Sequence, residues 1–331
     1  MFEKVFIIAE AGSNHNGDLD TAVELVHRAK EAGADAIKFQ DFSLHLLVSI
    51  DYYGKTLGLD NSWQKGIISN TFRQEWHKTI ALEAEKTNII YFSTPFSLEA
   101  VDLLDEFVPF YKIASCDITF YPLLKKAASK GKGIFISTGA SYIEEIDKAV
   151  QILKQYELPF ICIMHCVMLY PASYSSLNLS FIDLLTERYN LPVGFSDHSP
   201  GIDAALLSIG KGVKVIEKHF TLNRDQDGND HKNSLSPEGF KELVNKTRLY
   251  EKMLGKRQKI ISERESKERI YARRGIYAGR NLEKGERLTL DKLAFLRPNI
   301  SNGVEKLDDL LDKILNTDIQ KGAPINSSMV K

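Results

Sequence analysis

Short apolar runs rich in Val, Ile and Phe recur along most of the chain, at Val5–Ala9, Ala36–Phe39, Ile89–Phe92, Phe110–Ile113, Gly133–Ile136, Phe160–Met164, Pro192–Phe195 and Val213–Ile216. Each is nearly continuous in apolar character, as expected of strands buried on both faces of a parallel sheet. Between the runs the period lengthens. Ala22, Leu25, Val26 and Ala29 form a one-sided helical stripe, as do Ile143, Ile146, Val150 and Leu153, and Ile202, Ala205, Leu206 and Ile209. Further helices are expected near 74–86, 97–106, 122–130, 179–189 and 237–254. Eight strand-then-helix units in roughly 250 residues match a (β/α)8 TIM barrel. A doubly wound open sheet shares the alternation, but it usually has fewer strands and a Gly-rich loop after the first, and no G-x-G-x-x-G occurs here. Residues 41–70 have no clear period and read as a long loop on the active-site side.

The pattern breaks near Gly255, which sets a barrel domain over 1–255. Residues 256–274 carry eight Lys/Arg against three Glu and no core-sized apolar cluster. Residues 256–272 therefore read as a solvated linker, with a docking arm as the alternative. Beyond it, the runs Gly275–Ala278, Leu288–Leu290 and Ala294–Leu296 are separated by Lys-Gly-Glu and Arg-Pro turns. Residues 273–331 thus read as a small β-rich domain, marginal alone.

Composition narrows the class. With 43 Lys+Arg against 44 Asp+Glu, nothing points to nucleic acid or a membrane surface, so any bound anion must be met by a local cluster of cations. No apolar run approaches the ~18–20 residues of a spanning helix, and the N-terminal stretch has neither a basic region nor a small-residue cleavage site. Cys116, Cys162 and Cys166 are too few, and odd in number, for a disulfide framework. A cytoplasmic location is expected.

In a parallel barrel the active site lies at the C-terminal ends of the strands. Every run ends in polar chemistry: Glu10 and Ser13–Gly17, Lys38 and Gln40, Ser93-Thr94, Lys112 and Ser115-Cys116-Asp117, Ser137-Thr138-Gly139, His165-Cys166 with Tyr170 beyond, Ser196-Asp197-His198, and Glu217-Lys218-His219. Lys38 and Lys112 lie within apolar runs, where an unpartnered ammonium is costly. They read as ligands of a shared anion, supplemented by Thr94, Ser115, Ser137, Ser196 and the turn amides of Ser137–Gly139; a structural ion pair with Glu10 or Asp117 is the alternative for either. His198 and His219 end adjacent strands and suit a divalent metal, with Glu217 and Asp197 behind them, although a lone histidine is more often a hydrogen-bonded core group. His15 and His165 are weaker candidates, and His27, His45 and His77 read as surface or loop residues. Cys116 and Cys166, without a fixed base beside them in sequence, read as small core-like residues rather than nucleophiles.

In this order, Ala9–Gly17, Lys38-Phe39-Gln40, Ser93–Phe96, Tyr111–Ser115, Ser137–Gly139, His165-Cys166, Gly194–His198 and Glu217–Phe220 resemble the sialic acid synthase (N-acetylneuraminate synthase) family. Residues 273–331, with Phe295-Leu296-Arg297-Pro298, resemble its C-terminal SAF (antifreeze-like, β-clip) domain. The resemblance implies a metal-dependent transferase that condenses phosphoenolpyruvate with an N-acetylated hexosamine and releases phosphate by C–O cleavage. It implies that Lys38, Thr94, Lys112, Ser115, Ser137 and Ser196 hold phosphoenolpyruvate. It places His198 and His219 on the metal, usually Mn²⁺ with Mg²⁺ or Co²⁺ as alternatives, and Glu10 and Glu217 in the catalytic set. Gln40, Asp117, Tyr170 and Asp230 would face the sugar or the reacting water. The resemblance further implies a domain-swapped homodimer in which Arg297 reaches the partner's site and contacts the N-acyl group.

The chain departs from that pattern at Val167 and Met168, where relatives often carry Thr and a polar residue such as Asn. Asp117 stands where Glu is common, and Gly228-Asn229-Asp230 replaces a commoner Gly-Pro-Asp. The segment Asp230–Leu235 leans toward sialic- and legionaminic-type synthases over pseudaminic ones. Two other readings remain: a Schiff-base class I aldolase with Lys112 or Lys38 as nucleophile, and a non-catalytic sugar-binding protein.

Overall fold

The computed structural model describes residues 2–59, 64, 68, 71–228 and 230–331, and the chain forms two compact units, residues 1–255 and 256–331. The first contains eight strands: β1 (Phe6–Gly12), β2 (Ala36–Asp41), β3 (Ile90–Pro95), β4 (Phe110–Ile113), β5 (Gly133–Ser137), β6 (Ile161–Cys166), β7 (Val193–Asp197) and β8 (Val215–His219). They pair in parallel in the order β3-β2-β1-β8-β7-β6-β5-β4, and β4 packs beside β3, so the sheet curls into a nearly closed TIM-like barrel. Helices between the strands include Leu19–Glu31, Trp76–Thr87, Leu98–Leu104, Tyr121–Ala128, Ile143–Leu153, Phe181–Tyr189, Asp203–Gly210 and Pro237–Leu254. Local chemistry sets their limits. Asp18 caps Leu19–Glu31 by accepting from the Thr21 amide at 2.8 Å, and Ala22, Leu25, Val26 and Ala29 form its buried stripe.

The apolar runs conceal a division inside the barrel. Its floor is an aromatic plug: Phe110 lies 4.8 Å from Phe92 and 5.2 Å from Phe135, while Phe6 lies 6.1 Å from Phe110. Along a strand, every second residue returns to the same face. Phe110 is followed two places on by Lys112, Phe92 by Thr94, Phe135 by Ser137, and Ile8 by Glu10. One period of two therefore carries each strand from dry packing to the polar rim.

The strands extend further than the apolar runs. β1 continues to Gly12, so Glu10 lies within it, and a register shift between Glu10 and Gly12 bends its end. Gly12 has φ +52, and a Cβ there would stand 3.2 Å from both Glu10 Oε1 and Asp230 Oδ2. The 41–70 segment is partly helical, at Leu44–Leu47 and Ile50–Leu57; residues 60–63, 65–67 and 69–70, and the side chain of His45, lie outside the described residues. His77 is not a surface residue. It is fully buried, with Nδ1 2.6 Å from the Tyr91 hydroxyl and Nε2 3.1 Å from Asp41, because its helix turns this edge onto β2 and β3.

In the second unit, residues 256–262 are exposed, and Glu263–Ala272 is a helix with no buried residue, so the expected linker is solvated but partly helical. β9 (Gly275–Ala278) pairs antiparallel with β10 (Leu293–Leu296) over a core that includes Ile276, Leu282, Leu288, Leu310, Leu315 and Ile325. The run at 288–290 is not a strand. Leu288 instead exchanges backbone bonds with Lys313 and Asp312, and a 3-10 turn follows at Leu290–Lys292. Among the described residues, no helix is long and apolar enough to cross a membrane.

Candidate active site

The strand ends surround a cavity of about 160 Å³. Its lining contains Glu10, Lys38, Gln40, Thr94, Lys112, Ser115, Ser137, Tyr170, Ser196, His198, Glu217 and His219, so most of the residues singled out from the sequence converge on one space. Phe96, Cys116, Cys166 and Met168 also line it. Cys166 is buried as expected, whereas Cys116 is exposed, because its 3-10 turn (Ser115–Asp117) carries it out of the core.

The two lysines are buried and paired with carboxylates. Lys38 contacts Glu10, lies 3.7 Å from Glu217 and donates to the Thr94 hydroxyl at 3.1 Å. Burial opposes its charge, but Glu10 and Glu217 raise its pKa above the ordinary lysine value. Lys112 is bound by Glu217, at 2.9 and 3.1 Å to the two oxygens, rather than by Asp117. Glu217 also accepts from the Ser196 hydroxyl at 3.2 Å, and despite burial Lys112 and Lys38 hold its carboxyl well below the usual range. Gln40 donates to Glu10 at 2.7 Å. The Thr138 and Gly139 amides, expected to face an anion, are already used by the Met164 carbonyl and the Ser115 hydroxyl, at 3.1 and 2.9 Å. Ser137 Oγ is buried without a hydrogen-bond partner among the described residues.

His198 and His219 stand side by side, with ring centroids 5.3 Å apart. His198 Nδ1 lies 2.9 Å from the Val167 carbonyl, so it carries the proton there and leaves Nε2 with a free lone pair. Burial, and then His219, lower the His198 pKa to about 3, which keeps the ring neutral. His219 Nδ1 is buried without a hydrogen-bond partner among the described residues, 3.8 Å from Asp230. Tyr170 packs over His198 at 4.2 Å and meets His219 edge-on at 5.7 Å. Imidazoles with unused ring nitrogens are the donor set a divalent cation takes. Among the described residues, no group of three or more His, Cys, Asp or Glu forms an ion cage, so the remaining positions would fall to water and substrate oxygen. The residues present fit such an ion.

The other residues sort by environment. One Asp117 oxygen is buried without a hydrogen-bond partner among the described residues, and burial raises its pKa to about 6. Asp230 accepts from Ser13 at 3.4 Å, and Asn229 lies outside the described residues. His165 faces away from the cavity centre, with Nε2 donating to the Leu177 carbonyl at 2.7 Å and its ring stacked on Phe195. His15 is sealed among Phe39, Phe72 and Trp76, and burial takes its pKa down to about 4. His27 lies on a helix surface, 3.6 Å from Glu83. Asp197 does not touch the imidazoles but pairs with Lys218 behind them, at 2.8 Å. Lys218 went unread as a partner for that reason: period two turns it outward between Glu217 and His219. Arg297 is exposed in the second unit.

Comparison with known proteins gives the same picture. Residues 25–259 match the model of the NeuB family, and residues 273–331 match that of the SAF domain. The chain is 44% identical to an uncharacterised protein of Methanocaldococcus jannaschii, over 96% of this chain and 91% of that one. It is 38% identical to the N,N'-diacetyllegionaminic acid synthase of Campylobacter jejuni, over 94% and 96%. The crystal structure of the N-acetylneuraminic acid synthetase of Leptospira borgpetersenii, in complex with citrate, superposes with a TM-score of 0.73 at 36% identity, over 80% of this chain and 90% of that one. The chain therefore belongs to the NeuB family: it is an enzyme of the acid-synthase kind with a C-terminal SAF domain.

Proposed function

We propose that the enzyme condenses phosphoenolpyruvate with an N-acetylated hexosamine, giving a nine-carbon 2-keto sugar acid and free phosphate. The acceptor is N-acetylmannosamine or a 2,4-diacetamido-trideoxy hexose. The name of the Campylobacter relative supports the latter. One observation carries the reading: a single small cavity sets two buried lysines and the unpartnered Ser137 hydroxyl beside two imidazoles, that of His198 held neutral.

Lys38 and Lys112, with Thr94, Ser115, Ser137 and Ser196, hold the phosphate and carboxylate of phosphoenolpyruvate. His198 and His219 would hold a divalent cation, Mn²⁺ above Mg²⁺ or Co²⁺, which when bound supplies a Lewis acid for the acceptor's aldehyde. Gln40, Asp117, Tyr170 and Asp230 orient the open-chain sugar so that C3 of the enol meets its aldehyde carbon. The new C–C bond places positive charge at C2, which the carboxylates of Glu10 and Glu217 stabilise. Water adds to C2 and gives its proton to a carboxylate acting as general base. The hemiketal then breaks its C2–O bond, phosphate leaves against the lysines, and the remaining hydroxyl becomes the keto group. In a domain-swapped homodimer, the partner subunit's Arg297 meets the N-acyl group.

The test is phosphate release from phosphoenolpyruvate and Mn²⁺ with a panel of N-acetylmannosamine, its 6-phosphate and the diacetamido sugars. Release that depends on one of the neutral acceptors is expected. Release with none of the panel would overturn the reading. A Schiff base trapped by borohydride with pyruvate, without metal, would replace it with the aldolase.

A further inference from the structure

Behind the two imidazoles, on the outer face of the barrel, lies a second pair of charges that the chemistry above does not use. Asp197 and Lys218 stand directly opposite each other in the β7–β8 register, one position along from the inward-facing Ser196 and Glu217. Both side chains are buried, at 0% and 1% exposure. Taking two ions out of water costs several kcal/mol each, and apolar side chains would join β7 to the helices more cheaply. What the ions touch is informative. Asp197 Oδ1 accepts from the Ser199 amide at 2.8 Å and from the Ser199 hydroxyl at 2.6 Å, closing a turn with His198 at its centre. Lys218 donates to Asp197 Oδ2 at 2.8 Å and to the Ser199 carbonyl at 2.5 Å. All these bonds grip the turn that carries His198, and the two from Lys218 do so from the residue of β8 that immediately precedes His219.

We propose that Asp197 and Lys218 are positioning residues that clamp the His198 turn of β7 to β8 and so fix the two imidazoles at the spacing a divalent cation requires. The proposal rests on the reading that His198 and His219 hold that cation. His198 also makes bonds of its own: its ring donates to Val167, and its carbonyl accepts from the Ala172 amide at 3.0 Å. Both anchors belong to the loop after β6. The bonds from Lys218 to Asp197 and to the Ser199 carbonyl instead connect the His198 turn to β8.

The test measures Mn²⁺ affinity of the full-length chain by electron paramagnetic resonance of free Mn²⁺, alongside thermal unfolding and phosphoenolpyruvate binding without metal. Lys218→Met alone leaves a buried carboxylate unpaired and is expected to unfold readily, so the decisive variant is Asp197→Asn/Lys218→Met, which removes both charges. Its Mn²⁺ affinity should fall about 10–100-fold, the usual loss when a group supporting a metal ligand is removed. Its phosphoenolpyruvate binding should be retained. If that variant does not fold, Ser199→Ala deletes one bond to Asp197 with the charges still paired, and a several-fold weaker Mn²⁺ affinity is expected. A lower melting temperature with Mn²⁺ affinity unchanged would overturn the clamp and leave a purely structural pair. A wild-type chain that binds no Mn²⁺ would overturn the metal reading, and the clamp with it.

Discussion

Lys112 and Glu217 meet across the barrel, from β4 to β8, with the ammonium 2.9 and 3.1 Å from the two carboxylate oxygens and both side chains almost wholly buried. The pair has two roles that can be separated. It neutralises two charges in the interior, and it holds the ammonium at the rim where an anionic substrate would meet it. Lys112→Met should cost about 3 kcal/mol of stability, because buried Glu217 loses its nearer partner and keeps only the more distant Lys38, 3.7 Å away, and should abolish phosphoenolpyruvate binding. Lys112→Met/Glu217→Gln should recover most of the stability in urea unfolding but none of the binding in calorimetry. Binding restored in the double variant would remove Lys112 from the phosphoenolpyruvate site.

His219→Ala should abolish phosphate release and weaken Mn²⁺ binding, since one of the two adjacent imidazoles is lost. EDTA should silence the wild type, and added Mn²⁺ should restore it. Undiminished turnover in the variant would remove the metal role.

Asp117 titrates where activity can report it. Burial raises its pKa from 3.8 to about 6, so between those values the folded chain holds a proton that the unfolded chain has released. Its contribution to stability therefore falls as pH rises through that window, and Asp117→Asn should raise the melting temperature at pH 7. A carboxylate that contacts the acceptor also predicts an acid limb in kcat/KM near pH 6, which Asp117→Asn should erase while raising the acceptor KM. An unchanged limb would remove Asp117 from that role.

Arg297→Ala should raise the KM for the amino sugar much more than that for phosphoenolpyruvate. An unchanged sugar KM would refute the contact from the partner subunit.

The barrel was legible because strands covered on both faces need apolar residues at nearly every position, and eight such runs with polar C-terminal ends leave few architectures. The residues around the cavity were legible for the same reason, since polar groups at the ends of dry strands need a purpose. Who pairs with whom was not. The partner of Lys112 is Glu217, 105 residues away, rather than nearby Asp117, because barrel closure and not chain proximity sets that distance. His77 looked like a surface residue because its buried partners, Asp41 and Tyr91, lie on strands that flank the irregular segment. The clamp pair Asp197–Lys218 was hidden by the period of two, which puts neighbours in sequence on opposite sides of the wall.

The most direct measurement uses phosphoenolpyruvate carrying ¹⁸O in the oxygen that bridges C2 and phosphorus, incubated with Mn²⁺ and the accepted amino sugar. Cleavage of the C–O bond puts the label in the released phosphate, and only when acceptor is present. Phosphate that leaves without the label, or is released equally without a sugar, would contradict the account.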